Sequence, residues 1–175
     1  MGSEKLLQYF SGDELAANVW LGKYAQEGEE TPDDMHKRLA TEFARIEGQY
    51  ILNEKRDATK LSEYGYKRMH LDSLKIYDLF RDFKYIVPQG SIMSQLGAKS
   101  IGSLSNCFVI GQPEDSYGGI FQKDEEQVQL MKRRGGVGID ISTLRPKDTD
   151  VSNAARTTTG AVSFMHRFSN TTNEV

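Results

Sequence analysis

The apolar residues of the first half of the chain recur at the three- and four-residue spacing that is typical of amphipathic helices. Over residues 13–27 this spacing predicts a helix whose first turn Asp13 can cap. A second helix is predicted to start at Thr31-Pro32, because proline is favoured at the first helical position after a capping residue. The apolar face of this second helix is predicted to hold Met35, Leu39, Phe43 and Ile46.

The positions around these helices are more polar. His36 lies beside the apolar face, and we expect it at the surface rather than as a ligand. Residues 53–70 are charged and poor in aliphatic side chains, so they are predicted to form a loop or an excursion between elements. Tyr64-Gly65-Tyr66 within them could stack on a base, although an ordinary loop is the favoured interpretation. Residues 71–83 again show helical spacing, and residues 85–87 before Pro88 are predicted to be extended.

The second half of the chain alternates strand and helix patterns. Ser105–Ile110 is a short apolar strand candidate, and Val137, Ile139 and Ile141 alternate with polar or small residues as a second strand. A helix capped by Asp115-Ser116 is predicted to run to about residue 134, and a last helix to begin near residue 161. Residues 142–160 form a polar loop. The side chains predicted to point inward from the first of these helices are Ile120, Phe121, Val128 and Met131.

This order of elements predicts the α/β class, with a helical N-terminal region over residues 1–85 and a strand-containing region over residues 86–175. The net charge is −3, with 38% hydrophobic and 27% charged residues, which excludes a strongly basic nucleic-acid-binding surface or a polybasic membrane anchor. The sequence has no apolar run of membrane-spanning length and no signal-peptide pattern at its start. We therefore expect a cytoplasmic protein without nucleic-acid or membrane partners.

Few residues offer obvious chemistry. Cys107 is the single cysteine, which excludes an internal disulfide and a cysteine-based metal site, and we expect no metal ligands. From its position alone, a structural thiol is the simpler interpretation. Gly135-Gly136-Val137-Gly138 lacks the residues of a phosphate-binding Walker loop and is better explained as a tight turn. The bases and hydroxyls of residues 145–159 could bind a phosphate, but Asp148 and Asp150 oppose an anion, so a solvated loop is the simpler interpretation.

Three consecutive segments carry a family resemblance: SLSNCFVIGQPEDSYGGI (103–120), KRRGGVGIDISTLRP (132–146) and NAARTTTGAVSFMHRFSNTTNEV (153–175). They resemble the region around the first redox cysteine and the effector site of ribonucleotide reductase large subunits. Upstream, SGDELAANVWLGKYA, TPDDMHKRLATEFARIE and VPQGSIMSQLG resemble the N-terminus of the adenosylcobalamin-dependent (class II) branch. The resemblance implies an N-terminal portion of such a subunit, in which a helical region precedes the first strands and helices of an α/β barrel that is incomplete in this chain.

The resemblance implies roles for individual residues. Cys107 matches the redox cysteine on the first barrel strand, which pairs with a later cysteine to supply the electrons that reduce the ribose 2′ position. Ser91 and Asn106 match positions near the phosphates and ribose of the ribonucleotide substrate. Asp115 and Ser116 match the helix start that contacts the ribose of a nucleotide effector.

The same resemblance implies that basic residues bind the effector phosphate. Arg145 matches the arginine that binds it, and Lys147 follows in the adjoining loop. Here the chain departs from the family pattern, because Lys147-Asp148-Thr149-Asp150 stands where a Lys-Gly-x-Pro type loop is expected. Two added carboxylates would weaken an anion site.

The implied activity is the reduction of ribonucleotides to deoxyribonucleotides by thiyl-radical chemistry under allosteric nucleotide control. The implied cofactor is adenosylcobalamin, favoured because no ATP-cone pattern is found, and the implied effector is a deoxynucleoside triphosphate or ATP. A thioredoxin-type reductant is an expected partner, as is a second copy packed against the two late helices, although intramolecular packing would explain their apolar faces equally. The alternative is a module without catalysis, a remnant or half of a split reductase, that binds nucleotide or assembles subunits.

Overall fold

The computed structural model describes residues 4–56, 63 and 71–175. The chain divides into two compact units, which we call the helical unit (Met1–Leu104) and the strand unit (Ser105–Val175). None of the helices in the described ranges is long and apolar enough to cross a membrane. The helical unit contains α1 (Glu4–Tyr9), α2 (Glu14–Lys23), α3 (Pro32–Arg56), α4 (Ser73–Phe80), a 3₁₀ turn (Arg81–Phe83) and α5 (Gly90–Gln95). The strand unit contains β1 (Cys107–Ile110), α6 (Tyr117–Met131), β2 (Gly136–Ile139) and α7 (Ala161–Glu174).

Carboxylate side chains accept hydrogen bonds from backbone N–H groups at the starts of α2, α3 and α4. Asp13 accepts a hydrogen bond from the Ala16 backbone N–H at 2.9 Å, which confirms the predicted cap of α2. Before α3, the Asp34 carboxylate reaches back to the Thr31 N–H at 3.1 Å, so this helix begins at Pro32 as predicted. The far end of α3 differs from the prediction, since its backbone stays helical to Arg56, beyond the predicted loop start at residue 53. The predicted stacking residues Tyr64 and Tyr66 lie outside the described residues.

The core of the helical unit forms where α3 packs against α4. Met35 and Leu39 are fully buried, and Phe43 and Ile46 are partly buried against the same cluster. The predicted apolar face of α3 is therefore confirmed. Burial of such side chains contributes on the order of 1.5–3 kcal/mol each.

His36 does not lie at the surface as predicted. Its side chain is 0% exposed, and its ring packs edge-on against Phe83 with the ring centroids 4.6 Å apart. The position is buried because α4 and the 3₁₀ turn cover the flank of α3 on which His36 lies. Among the described residues neither ring nitrogen has a hydrogen-bond partner. Burial lowers the pKa of His36, although the nearby carboxylates of Asp33 and Asp82 act in the opposite direction.

Helix α5 was not predicted, because six residues are too short to show a helical period. It ends before Gly97, which adopts φ +73°, a left-handed conformation that glycine tolerates best. The α5 segment belongs to the helical unit, whereas residues 86–104 were predicted to belong to the strand-containing region. Its contacts with α3, described below, explain this assignment.

The strand unit is a β–α–β arrangement. β1 and β2 pair in parallel, with Cys107 opposite Gly136 and Ile110 opposite Ile139, and α6 connects them. This parallel pair confirms the predicted strands and the α/β class. The Ser116 hydroxyl accepts a hydrogen bond from the Gly119 N–H at 3.1 Å, as expected of a residue that caps α6. The buried apolar side chains of this unit are Ile120, Leu144 and Phe168.

One expectation for the strand unit needs correction. Phe121, predicted to point inward, is 48% exposed and lies beneath the Arg167 guanidinium, whose central carbon is 4.4 Å from the ring centroid. The buried position facing α7 is instead taken by Gln127, whose amide N–H groups donate to the Phe168 carbonyl at 3.0 Å and the Thr172 hydroxyl at 2.7 Å. The Gln127 Oε1 atom is buried without a partner among the described residues, so the hydrogen bonds of this side chain are all made by its N–H groups. Helical spacing cannot distinguish these two positions, because a polar side chain can be buried when it is hydrogen-bonded.

The predicted polar loop over residues 142–160 contains short antiparallel pairing. The Thr158 N–H donates to the Thr149 carbonyl at 3.1 Å, and the Val151 N–H donates to the Arg156 carbonyl at 2.8 Å. We call residues 148–158 the loop hairpin. Arg156, at φ +64°, lies in its turn.

The buried His36 makes the stability of the helical unit dependent on pH. In the unfolded chain His36 takes up a proton near pH 6.5, whereas its lowered pKa delays protonation in the folded chain. Folding stability should therefore fall as the pH drops below about 6.5, by up to about 1.4 kcal/mol per pH unit until the folded-state pKa is reached. Urea unfolding followed by fluorescence of Trp20, the single tryptophan, reports on this unit.

A His36→Leu variant should lose most of the difference in unfolding free energy between pH 8 and pH 5.5. His166→Gln, which changes an exposed histidine of α7, is the matched control and should retain it. An unchanged pH dependence in His36→Leu would show that another group is responsible.

Candidate redox and effector sites

The thiol of Cys107 stands at the first residue of β1, where it is exposed. Gly136 lies opposite in the parallel pair, and its N–H donates to the Asn106 carbonyl at 2.7 Å. A Cβ on Gly136 would lie 3.3 Å from that carbonyl oxygen and 3.8 Å from the Cys107 sulfur. Glycine on the neighbouring strand therefore leaves space beside the thiol.

This environment differs from that of an inert structural cysteine, which is normally buried in apolar surroundings. An exposed thiol can react with an oxidant or with another thiol. Because the 175 residues contain one cysteine, a disulfide partner for Cys107 has to come from outside this sequence.

The two residues predicted to bind substrate lie in different units. Ser91 is in the first turn of α5 and is only 6% exposed. Asn106 directly precedes Cys107 and is half-buried. Its backbone carbonyl is held by β2 through the Gly136 N–H.

A cavity of about 290 Å³ lies in the strand unit between α6, α7 and the loops that follow the strands. This volume is near the lower end of the roughly 300–1,000 Å³ of small-molecule sites, which suits part of a nucleotide rather than all of it. Three of the predicted effector residues line it, namely Asp115, Ser116 and Arg145. The other lining residues are Tyr117, Ile120, Val151, Ser152, Asn153, Thr158 and Phe164.

Asp115 and Arg145 form an ion pair at the cavity wall. The guanidinium Nε lies 2.5 Å from the carboxylate Oδ2, and Nη2 lies 3.4 Å from the Asp115 backbone oxygen. Both side chains are about one-third exposed, so solvent screening limits this pair to roughly 1 kcal/mol. The residue predicted to contact ribose and the residue predicted to bind phosphate thus contact each other.

Cross-loop hydrogen bonds hold the two loops that carry this pair. After β1, the Gln112 amide donates to the Asp140 carboxylate, which follows β2, at 2.5 Å. The Thr143 hydroxyl donates to the Pro113 carbonyl at 2.7 Å. The hydrogen bonds from Gln112 and from Ser142 keep the pKa of the Asp140 carboxyl below its usual value, so it is charged at neutral pH. The separation between Asp115 and Arg145 is therefore fixed by their loops.

The remaining cavity wall is aromatic on one side and polar on the other. The rings of Tyr117 and Phe164 meet edge to face with centroids 5.9 Å apart. Across from them the loop hairpin contributes Ser152, Asn153 and Thr158. A flat apolar group and a polar group could be bound together in such a space.

Lys147, Asp148 and Asp150 are exposed and are not among the described residues that line the cavity. The backbone of Lys147 instead packs against Gly160, where a Cβ would lie 2.3 Å from the Lys147 nitrogen. The two carboxylates expected to oppose an anion therefore lie outside the cavity wall. Thr158 is one of the hydroxyl-bearing residues of 145–159 considered for phosphate binding, whereas Asn153, Tyr117 and Phe164 were missed as site residues, because the hairpin and helix packing that place them leave no short motif.

Metal binding by clustered side chains has no support in the described ranges 4–56, 63 and 71–175. No group of three or more histidine, cysteine, aspartate or glutamate residues there could hold an ion.

Several known proteins are similar to parts of this chain. A family model described as "Ribonucleotide reductase, barrel domain" matches residues 105–175. A vitamin B12-dependent ribonucleoside-diphosphate reductase of Thermoplasma acidophilum is 37% identical over 89 residues, which is 51% of this chain. A ribonucleoside-diphosphate reductase large chain of Saccharomyces cerevisiae is 24% identical over 137 residues, or 74% of this chain, and that of Neurospora crassa is 31% identical over 68 residues, or 39%.

These matches cover only 11%, 16% and 7% of the length of the three relatives, respectively. The family match begins two residues before Cys107 and includes β1, α6, β2 and α7. Together with the parallel pairing of β1 and β2, it confirms the prediction of a helical region followed by the first strands and helices of an α/β barrel. Residues 105–175 match the ribonucleotide reductase barrel-domain family, and the chain is similar to ribonucleotide reductase large chains over the stretches given above.

Proposed function

We propose that this protein takes part in the reduction of ribonucleotides to deoxyribonucleotides, and that Cys107 is one of its two redox thiols. The exposed thiol at the start of β1 carries this proposal, together with the membership of residues 105–175 in the reductase barrel family. The second thiol is supplied from outside these 175 residues, since Cys107 is their single cysteine.

The overall reaction balances with two thiols. The ribose 2′-hydroxyl leaves as water, a hydrogen takes its place at carbon 2′, and the two thiols lose two electrons and two protons as they form a disulfide. A thioredoxin-type dithiol would then reduce that disulfide by thiol–disulfide exchange, which requires an accessible sulfur. The exposure of Cys107 is consistent with both steps. Ser91 and Asn106 are proposed to contact the phosphates and the ribose of the substrate.

Adenosylcobalamin is the proposed cofactor, and its chemistry would supply the radical that initiates reduction. The printed name of the Thermoplasma acidophilum relative, a vitamin B12-dependent enzyme, supports this choice. No contact with the cofactor is assigned to the described residues of this chain.

We further propose that the cavity in the strand unit binds a nucleotide effector, a deoxynucleoside triphosphate or ATP. Asp115 would accept a hydrogen bond from a ribose hydroxyl, and Arg145 would donate to a phosphate through the guanidinium N–H groups that do not face the carboxylate. Tyr117 offers an apolar surface to the base. Ser116 and Lys147 keep their proposed roles near the ribose and phosphate, with Lys147 reaching from outside the cavity wall.

A second copy of the chain is the proposed partner of α6 and α7. Several apolar side chains on these helices are exposed, which would favour burial against another surface. The most exposed of them are Tyr117, Val162 and Met165.

The non-catalytic alternative is favoured by one observation, namely that the effector cavity is formed entirely by residues 115–164 of the strand unit. Nucleotide binding would then require neither a second cysteine nor a radical cofactor. The two experiments below distinguish this alternative from the reductase.

Replacing Cys107 tests the redox role. In the catalytically competent reductase, Cys107→Ser should abolish multiple turnover with a dithiol reductant, because the disulfide can no longer form. Quantifying deoxyribonucleotide per enzyme after several minutes measures this. In the unmodified chain an aromatic disulfide reagent should titrate one thiol without denaturant, and none in Cys107→Ser. Multiple turnover retained by Cys107→Ser would refute the assigned role.

Replacing Arg145 tests the effector site. Nuclear magnetic resonance titration of the chain with a deoxynucleoside triphosphate should shift the backbone amides of residues 116–119 and 145–158. Arg145→Ala should weaken binding about tenfold or more, since a charge-assisted phosphate contact is worth roughly 1.5–3 kcal/mol. Arg156→Ala, in the exposed turn of the loop hairpin, is the matched control and should bind normally. Millimolar nucleotide that shifts none of these amides in the folded chain would exclude the effector site.

A further inference from the structure

A buried side-chain network in the helical unit holds α5, the segment that carries Ser91. Arg38 of α3 and Glu29 form an ion pair with Nε and Oε1 2.6 Å apart, and their side chains are only 13% and 9% exposed. The remaining N–H groups of Arg38 point to the end of α5. One donates to the Met93 carbonyl at 2.9 Å, and another donates to the Leu96 carbonyl.

Two further contacts complete this network. The Gln26 backbone N–H donates to the Glu29 carboxylate at 2.8 Å, and the Gln26 side-chain amide donates to the Ser94 carbonyl at 2.7 Å. The carbonyls of Met93, Ser94 and Leu96, at the end of α5, are thus all bound by side chains from outside the segment. Cationic and N–H donors are favoured at this position because the last carbonyls of a helix lack intrahelical partners.

Close packing fixes the same segment at both ends. A Cβ on Gly90 would lie 3.3 Å from the Tyr24 ring, and a Cβ on Gly97 would lie 2.9 Å from the side-chain stem of Arg38. Six residues cannot maintain a helix by themselves in water. The position and conformation of α5 therefore depend on contacts with the rest of the helical unit. Arg38 donates two of the three side-chain hydrogen bonds described above to the end of α5.

We infer that Arg38 is a positioning residue for substrate binding, because it fixes the segment from Gly90 to Gly97 and thereby the orientation of Ser91. This inference rests on the proposed function, in which Ser91 contacts the substrate phosphates. Ser91 is only 6% exposed, so a substrate can reach only a small part of this residue. The conformation of Gly90–Gly97 determines the direction in which that part faces. A guanidinium is required because it bridges one carboxylate and two carbonyls at once, whereas an ammonium group cannot match that planar geometry.

Hydrogen exchange in the 175-residue chain tests the structural half of the inference. The amides of Met93, Leu96 and Ala98 are hydrogen-bonded within this region and report on it directly. In Arg38→Lys they should exchange about tenfold faster, while amides of α6 in the strand unit should be unchanged. Arg45→Lys is the matched control on the same helix, because Arg45 is exposed and, within the described part of the chain, pairs with Glu42. Its exchange rates should equal those of the unmodified chain.

A second variant guards against unfolding caused by an unpaired buried charge. Glu29→Gln combined with Arg38→Gln removes both charges together, and Trp20 fluorescence verifies that the helical unit remains folded. The amides around α5 should again exchange faster. Rates unchanged in both folded variants would overturn the inference, because Arg38 would then not hold the segment.

Steady-state kinetics of the catalytically competent reductase test the functional half. Arg38→Lys should raise the KM for the ribonucleotide about tenfold with kcat within twofold, whereas a purely structural loss would lower kcat and leave KM unchanged. Ser91→Ala should also raise KM and should add little in the Arg38→Lys background, because both changes remove the same contact.

The two possible failures differ in their results. If Ser91→Ala raises KM but Arg38→Lys does not, the positioning role is refuted while the proposed function stands. If Ser91→Ala itself leaves KM unchanged, the proposed substrate role of Ser91 fails, and the positioning role fails with it even where hydrogen exchange is faster.

Discussion

The parallel pairing of β1 with β2 is the constraint on which the strand unit depends. Its register sets Cys107 against Gly136 at one end and Ile110 against Ile139 at the other. The loops that leave the carboxyl ends of the strands carry Asp115 and Arg145, as is usual for ligand-binding residues of parallel sheets. One strand pair thus presents a thiol at its start and a polar cavity beyond its end, separated by the roughly 10 Å that four strand residues span.

In both units some polar side chains join neighbouring segments, and others have buried atoms without a partner among the described residues. In the strand unit they connect loops that would otherwise move independently, as Gln112 does when it bonds to Asp140. In the helical unit several are buried without partners among the described residues, including His36 and the hydroxyl of Tyr9. Burial raises the pKa of Tyr9 to about 12, so this side chain stays neutral over the whole physiological range. The burial of such groups reduces stability and is offset by the apolar core around Met35 and Leu39.

Local signals in the sequence were sufficient for the starts of α2, α3 and α6 and for the two strands. Asp13 and Ser116 cap α2 and α6 because capping requires only a side chain and a backbone amide that are three residues apart. Burial was harder to predict, because it depends on which distant element covers a position. His36 is covered by Phe83 and is buried, whereas the Phe121 side chain is about half exposed. The apolar pattern of the sequence predicted the opposite for both residues. The candidate effector site was also only partly predictable. The family resemblance identified Asp115 and Arg145, but neither motif nor spacing indicated that their side chains would form an ion pair.

The close contact between Gly160 and Lys147 has a mechanical consequence for α7. Gly160, at φ +81°, immediately precedes this helix, and the contact joins two stretches of main chain rather than two side chains. Any side chain at position 160 would have to displace the backbone of Lys147, which leads into the loop hairpin. The absence of a side chain at this one position is therefore what allows α7 to begin directly beside that backbone.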